Sequence, residues 1–338
     1  MEQPLLHPKT KPDEHVIERR KLGRSPLEIS PLGLGCWQFS KGTGLVGRYW
    51  PVLSDEDIVA IVRMSLEGGM NWLDTAESYG RGQSERALDR ALRIIENQGM
   101  ELSDVHIATK WWPIGRSANS LTTTIEDRIA ALGGRTIDLY QIHQPFSLSS
   151  IEKEMKAMSA LISNGKIRYA GVSNYSASQM VKAHTILKEY GYELVSNQVK
   201  YNLLDRRIEH NGVLAAAKEL GITIIAYSPL QQGVLTGKFH GDPTLVGGIR
   251  RYHSSFKPKG LAISKPLIDL LEQLGIKYQR TASQVALNWL IHYHGDTVVA
   301  IPGASKVKHA VENIGAMRFA LTGDELTEIS EVSNAVLS

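Results

Sequence analysis

Eight apolar runs limit what this chain can fold into more than any other feature. They lie at residues 32–39, 70–76, 105–110, 137–144, 169–174, 194–202, 222–230 and 297–304, with helical patterning between them. Strands covered on both faces read as such unbroken runs. The helical stretches carry start and stop signals. Ser54-Asp55-Glu56-Asp57 precedes Ile58, Ile61 and Val62 on one face, and Gly68-Gly69 closes the segment. Ser149 with Glu152 three residues on reads as a capping box ahead of Ile151, Met155, Met158, Leu161 and Ile162. Ser176 with Gln179 opens a third helix. Strand-then-helix units in this number, without a composition break, predict an α/β fold: a (β/α)8 TIM barrel formed by residues 1–338 as one domain.

At 338 residues the chain exceeds the ~250 residues usual for a barrel, and the surplus has definite places. Residues 1–15, with three prolines, read as a loose N-terminal extension. Segments 16–22 and 25–30 flank Gly23-Arg24 as a β-hairpin. Residues 231–265 form a long loop after the seventh strand, and 281–293 and 324–335 read as extra helices. Long loops after barrel strands tend to carry function.

Composition removes several classes of function. A formal charge of +3, with acids and bases interspersed along the helices, argues against nucleic acid and membrane-surface partners. The single cysteine, Cys36, rules out an intrachain disulfide framework and suits a reducing compartment. No run approaches the ~18 apolar residues of a membrane span, so a cytoplasmic location is expected. Nothing in the pattern speaks against a homo-oligomer. His292-x-His294 lacks a third ligand, and no metal site is expected. Gly42-Thr43-Gly44-Leu45-Val46-Gly47 fits the dinucleotide pattern G-x-G-x-x-G, but Arg48-Tyr49-Trp50-Pro51 follows it. No helix begins before Ser54, so the glycines open no phosphate-binding helix, and residues 40–53 read as a barrel loop.

Barrel chemistry sits at the C-terminal ends of the strands. Asp74 ends the second run with Tyr79 in its loop, Lys110 ends the third, His143 lies near the end of the fourth, and Ser173-Asn174 ends the fifth. Gln198 and Tyr201 follow on the sixth, Tyr227-Ser228 on the seventh, and Gly303 and Ser305 after the eighth. A carboxylate in an apolar strand needs a cation, and Lys110 on the next strand can supply it. An ammonium beside a phenol is expected to lower its pKa from about 10 by stabilising the phenolate. With His143 orienting an oxygen, the set predicts a pocket that stabilises negative charge developing on a carbonyl oxygen, opposite a hydride donor.

These residues resemble the Asp-Tyr-Lys-His tetrad of the aldo-keto reductases. Gly69-Met70-Asn71-Trp72-Leu73-Asp74-Thr75-Ala76 through Tyr79 is similar to that family's first signature, Ala108-Thr109-Lys110 to its lysine strand, and Ile142-His143-Gln144 to its histidine strand. Gly165-Lys166-Ile167-Arg168-Tyr169-Ala170-Gly171-Val172-Ser173-Asn174 is similar to the segment leading to the nicotinamide. The resemblance implies that Tyr79 is the general acid, Lys110 depresses its pKa, Asp74 orients Lys110, and His143 positions the substrate carbonyl. It also implies NADP(H) bound without a Rossmann domain. Ser173, Asn174 and Gln198 would then hold the carboxamide, and Tyr227 would stack on the nicotinamide. Ser228, Leu230, Gly233 and Leu235 would line the pyrophosphate with Lys238 nearby, and Gly303, Ser305, Lys306, His309, Glu312 and Asn313 would take the adenosine end.

Elementary physics supports part of that assignment. Gly303 allows close backbone approach, and a helix opening near Lys306 offers free N–H groups to a phosphate. His309 stands where many relatives carry arginine, so the preference for NADP(H) over NAD(H) is expected to be modest. Residues 303–317 are similar to bacterial oxidoreductases and potassium-channel β subunits of the superfamily. A second implied reading is therefore a cofactor-binding, redox-sensing regulatory subunit with low turnover. For an enzyme, the implied reaction reduces an aldehyde or ketone, such as a sugar or aromatic carbonyl, to an alcohol. Trp37, Tyr49, Trp50, Trp111 and Trp112 are expected to wall the substrate pocket.

Overall fold

The computed structural model describes residues 17–42 and 52–337. The 1–15 extension, Tyr49, Trp50 and most of the 40–53 loop lie outside the described residues. A small antiparallel hairpin, β1 (Arg20–Lys21) with β2 (Glu28–Ile29), precedes eight parallel strands. These are β3 (Leu34–Gly35), β4 (Trp72–Asp74), β5 (His106–Trp111), β6 (Leu139–Ile142), β7 (Tyr169–Ser173), β8 (Leu194–Lys200), β9 (Thr223–Tyr227) and β10 (Val298–Ala300). Each pairs with its neighbour in chain order. The last strand closes on the first: Gly33 N donates to Ala300 O at 2.9 Å, Ala300 N donates to Pro31 O at 3.0 Å, and Gly35 bridges Gly303. Closure leaves the ring of parallel strands without a free edge.

The first run is shorter than its apolar length suggests. After Gly35 the chain turns into a 3₁₀ helix, Trp37–Ser40. In that turn the Cys36 carbonyl accepts from Phe39 N at 3.0 Å and from the Ser84 hydroxyl, on the helix packed behind it, at 2.7 Å.

Two expected helix starts form as read. Ser54 Oγ accepts from Asp57 N at 3.0 Å, and Ser176 and Gln179 make a complete capping box. The third differs. Helix Ile151–Ser163 has Ser150 at its N-cap position with no side-chain cap, and Ser149 Oγ instead accepts from the backbone N–H of Ala118 at 2.9 Å. Residues 231–265 are not a structureless loop either. They form short helical turns, Gln231–Thr236, Lys238–Gly241, Pro243–Leu245, Gly248–Tyr252 and Ser254–Phe256, and then enter helix Pro258–Tyr278, which has proline in its first turn. Val234, Phe239, Phe256 and Leu261 give this stretch a small apolar core of its own. The extra helices are Ala282–His292 and Gly323–Leu337. Among the described residues no helix is long and apolar enough to cross a membrane.

Inside the barrel, Trp72, Ala108, Leu139, Val195, Ile225, Val299 and Ile301 pack against Leu22 and Ile29 of the hairpin. The hairpin thus plugs the N-terminal mouth, and the opposite mouth is where the polar side chains lie.

Candidate active site

Side chains on a strand alternate between faces, so residues of one parity point into the barrel together. On β5, Ala108 and Lys110 face inward while Thr109 and Trp111 face the helices; on β6, Leu139 and Gln141 face inward. The pairings Lys110 with Gln141 and Asp74 with Ala108 place these residues and Asp74 at neighbouring levels. Asp74 is 1 % exposed and Lys110 is fully buried, so each needs the other.

Lys110 Nζ donates to Asp74 Oδ1, to Thr75 O at 2.9 Å and to the Tyr79 hydroxyl oxygen at 3.4 Å. An ammonium has three N–H donors and no acceptor, so the Tyr79 oxygen must accept, and its own proton is free for another partner. Asp74 Oδ2 accepts from Gln198 Nε2 at 2.9 Å and from Gln141 Nε2 at 3.2 Å. Gln141 is absent from the sequence-based set because it lies inside an apolar run. The signal that could have found it is that it shares inward parity with His143, two residues on.

The expected direction of the Tyr79 pKa is corrected by its surroundings. Burial of the phenol raises its pKa above the ordinary value more than the Lys110 charge lowers it, and the nearby Asp74 charge adds to the rise. Lys110 is partly neutralised by its own carboxylate partner and cannot overcome the desolvation. Burial works against the lysine charge too, yet Asp74 and then Tyr79 hold its pKa above the usual lysine value. His143 is pushed well below the usual histidine range, first by burial and then by the Lys110 charge. Near neutrality the set therefore consists of a protonated phenol, an ammonium and a neutral imidazole.

Around these groups the mouth is aromatic. Trp37 stacks on Tyr79 with ring planes 27° apart and centroids 6.1 Å apart, and the His143 ring meets Tyr79 at 5.7 Å and Trp112 at 5.2 Å edge-on. Trp111 is not a pocket wall. Parity turns it outward, where it is fully buried, donates to Ser120 Oγ at 3.0 Å and packs against Arg116. Trp112 returns to the mouth because Glu77 Oε1 accepts its backbone N–H at 2.5 Å. Tyr201 is also buried away from the rim, donating to Glu209 Oε1 at 2.5 Å.

The residues expected at a nicotinamide lie together. Ser173 Oγ donates to Gln198 O at 2.8 Å, Asn174 Nδ2 donates to Ser173 Oγ at 3.0 Å, and the Tyr227 hydroxyl donates to Asn174 Oδ1 at 3.1 Å. Gln198 spends its amide N–H groups on Asp74 and on Gln141 Oε1 at 3.3 Å, which leaves its oxygen to act as an acceptor. Asn174 and Ser228 adopt left-handed φ values of 61° and 51°, as do Gln231, Gln232 and Gly233 in the following turn. Non-glycine residues held there mark backbone shaped by its surroundings rather than by preference. Leu230 is half-buried, whereas the Leu235 side chain is fully buried in the main core, so the chain at Leu235 offers a ligand little beyond its backbone.

Beyond that turn lies a cluster of charges. Burial lowers the Lys238 pKa, the Arg250 charge lowers it further, Glu312 opposes this, and Lys306 adds to the lowering. His309 is lowered by burial, with Glu312 opposing. Ser305 N donates to His309 Nδ1 at 3.4 Å, which leaves the histidine proton for Nε2. Asn313 is buried on helix Val307–Gly315 with its Nδ2 unpartnered, an unmet donor of the kind a bound group satisfies. A Cβ at Gly303 would fall 2.2 Å from the Gln38 side-chain amide, so any side chain there would require that amide to move.

A closed (β/α)8 barrel with a buried lysine–carboxylate pair behind a tyrosine and a histidine is a scaffold for carbonyl chemistry. A model of the Aldo/keto reductase family matches residues 31–334. The chain belongs to that family, and with it to the oxidoreductases acting on carbonyl and alcohol groups. It is 32% identical over 321 residues to the chloroplastic pyridoxal reductase of Arabidopsis thaliana, covering 92% of this chain and 85% of that one. It is 35% identical over 312 residues to an uncharacterized oxidoreductase of Mycobacterium bovis, covering 91% and 90%. Among solved structures, glycerol dehydrogenase from Gluconobacter oxydans matches with TM-score 0.80 and 27% identity, over 95% and 96% of the two chains.

Proposed function

We propose that this chain reduces aldehydes or ketones to alcohols with NADP(H), and that Tyr79 delivers the proton. The observation that carries the reading is the Lys110 donor set: with all its N–H groups committed, the Tyr79 hydroxyl accepts from lysine and keeps its own proton for another partner. A bound nicotinamide would supply the hydride. Ser173, Asn174, the Gln198 oxygen and Tyr227 would hold its ring, and the turn from Ser228 through Gly233 would follow the pyrophosphate. Lys238, Lys306 and His309 would meet the adenosine phosphate, and the unmet Asn313 amide the base.

As negative charge grows on the substrate oxygen, the phenol gives up its proton and Lys110 stabilises the phenolate left behind. A raised pKa suits this order of events, because the phenol stays protonated until the oxyanion demands the proton. His143, neutral, orients the same oxygen by a hydrogen bond. Trp37 and Trp112 supply flat apolar walls, and a relative named as a pyridoxal reductase makes aromatic and heteroaromatic aldehydes the first compounds to try.

The test is NADPH oxidation against a panel of aromatic, sugar and aliphatic aldehydes, by the wild type and Tyr79→Phe. NADPH binding persists in the variant while turnover falls about 10²-fold or more, the scale of a lost general acid. Unchanged turnover in Tyr79→Phe removes the phenol from the reaction. Tight NADPH binding without turnover on any substrate favours the regulatory-subunit reading.

A further inference from the structure

Ser78 stands between Glu77 and Tyr79 on the loop after β4, and its Oγ lies 3.3 Å from Nδ1 of His143. We propose that Ser78 is a positioning residue that selects the tautomer of His143: its hydroxyl donates to Nδ1, so the ring's single proton sits on Nε2, facing the substrate oxygen. The proposal rests on the carbonyl-reduction reading above.

A neutral imidazole has one N–H and one acceptor nitrogen, while a hydroxyl can play either part, so geometry alone leaves two arrangements. The reaction separates them. If Nδ1 carried the proton and Ser78 accepted it, Nε2 would present a lone pair to a carbonyl oxygen that is gaining negative charge. With Ser78 as donor, Nε2–H becomes a second hydrogen-bond donor beside the Tyr79 hydroxyl. Ser78 engages Nδ1, which leaves Nε2 as the nitrogen available to a ligand. Protonating both nitrogens is opposed by burial and by the Lys110 charge.

The loop that carries Ser78 is held firmly enough to aim it. Glu77 N donates to Lys110 O at 3.2 Å, Tyr79 N to Ala76 O at 3.1 Å, and Gly82 N to Glu77 O at 2.8 Å. The Glu77 carboxylate accepts from Trp112 N and from Arg116. On the histidine side, His143 N donates to Trp111 O at 3.0 Å and Asn174 Nδ2 donates to His143 O at 3.3 Å. The edge contacts with Tyr79 and Trp112 hold the ring plane. With both backbones and the ring plane set, the remaining freedom is which nitrogen bears the proton, and Ser78 is the group that touches it.

The experiment is nitrogen-15 NMR of histidine-labelled resting protein at neutral pH, with the His143 signals assigned by their loss in His143→Asn. Wild type and Ser78→Thr, which keeps the hydroxyl, show the proton on Nε2. Ser78→Ala shifts population toward Nδ1–H, and its kcat for NADPH-dependent reduction falls about 5–10-fold, the scale of one lost hydrogen bond, with NADPH affinity unchanged. A wild type protonated on Nδ1, or a Ser78→Ala protein with the wild-type tautomer, overturns the proposal. The NMR readout needs no substrate, so failure of the carbonyl-reduction reading would be seen separately, as absence of turnover in the wild type.

Discussion

Two layers of the same barrel interior differ by two residues along each strand. Trp72, Ala108, Leu139 and Ile225 form the lower one with the hairpin residues Leu22 and Ile29. Asp74, Lys110, Gln141 and Tyr227 follow them on β4, β5, β6 and β9 and form part of the upper one. Parity is shared, so depth alone separates an apolar plug from a hydrogen-bonded polar network. The lower layer is sealed by the hairpin and gains from burying area, residue by residue. In the upper layer each charge or amide is tolerable only while its partner is present, so its energetics are conditional rather than additive.

The hardest test of that difference is Lys110→Met. Removing the cation leaves Asp74 buried with Gln141 and Gln198 as its side-chain donors among the described residues, and the expected loss is about 3–5 kcal/mol of stability, together with loss of carbonyl reduction. Urea denaturation and NADPH oxidation measure the two effects. Adding Asp74→Asn to Lys110→Met restores much of the stability and none of the activity, because it removes the stranded charge without restoring the donor to Tyr79. A single variant as stable as the wild type would mean that the upper layer tolerates unpaired charge, and the contrast with the lower one would collapse.

Leu139→Ala probes the layer beneath. Leu139 is buried directly below Gln141, and truncating it costs about 2–5 kcal/mol in the same denaturation assay. Here the loss is in packing, so kcat in the folded protein stays within about 3-fold of wild type if the layers are energetically separate. A collapse of kcat comparable to that of Tyr79→Phe would show that the plug sets the catalytic geometry.

How much of this was legible in the chain follows the same division. Asp74 and Lys110 stand out because a charge in an apolar run is costly, and such residues seldom occur there without a partner. Gln141 and Ser78 do not stand out: an amide in a strand or a hydroxyl in a loop costs little, and its role depends on what lies across from it. Parity, applied strictly, separates Trp111 from Trp112, since the residue after an inward lysine must point outward. The rise in the Tyr79 pKa could not be read, because it is a balance between desolvation and a lysine already paired. The helical turns within 231–265 are too short to leave a 3.6-residue period, and the third helix begins one residue later than its capping-box pattern suggests, with Ser149 Oγ accepting from Ala118, 31 residues away.

The smallest expected effect is in pH dependence, and it sharpens the contrast between layers. Burial holds Tyr79 above its ordinary value and His143 well below the usual histidine range. Neither group titrates between about pH 6.5 and pH 9.5, so the rate of carbonyl reduction at saturating NADPH is flat across that window. A rate that halves by about pH 8 would mean that Lys110 outweighs burial at the phenol. For stability the sign is opposite on the acid side. The unfolded histidine takes up a proton below about 6.5 while the folded one resists, so stability is full above that pH and declines as pH falls. His143→Asn removes that part of the acid decline. Leu139→Ala, in a layer without ionisable groups, lowers the stability curve by the same amount at every pH, and a pH-dependent difference would tie the two layers together electrostatically.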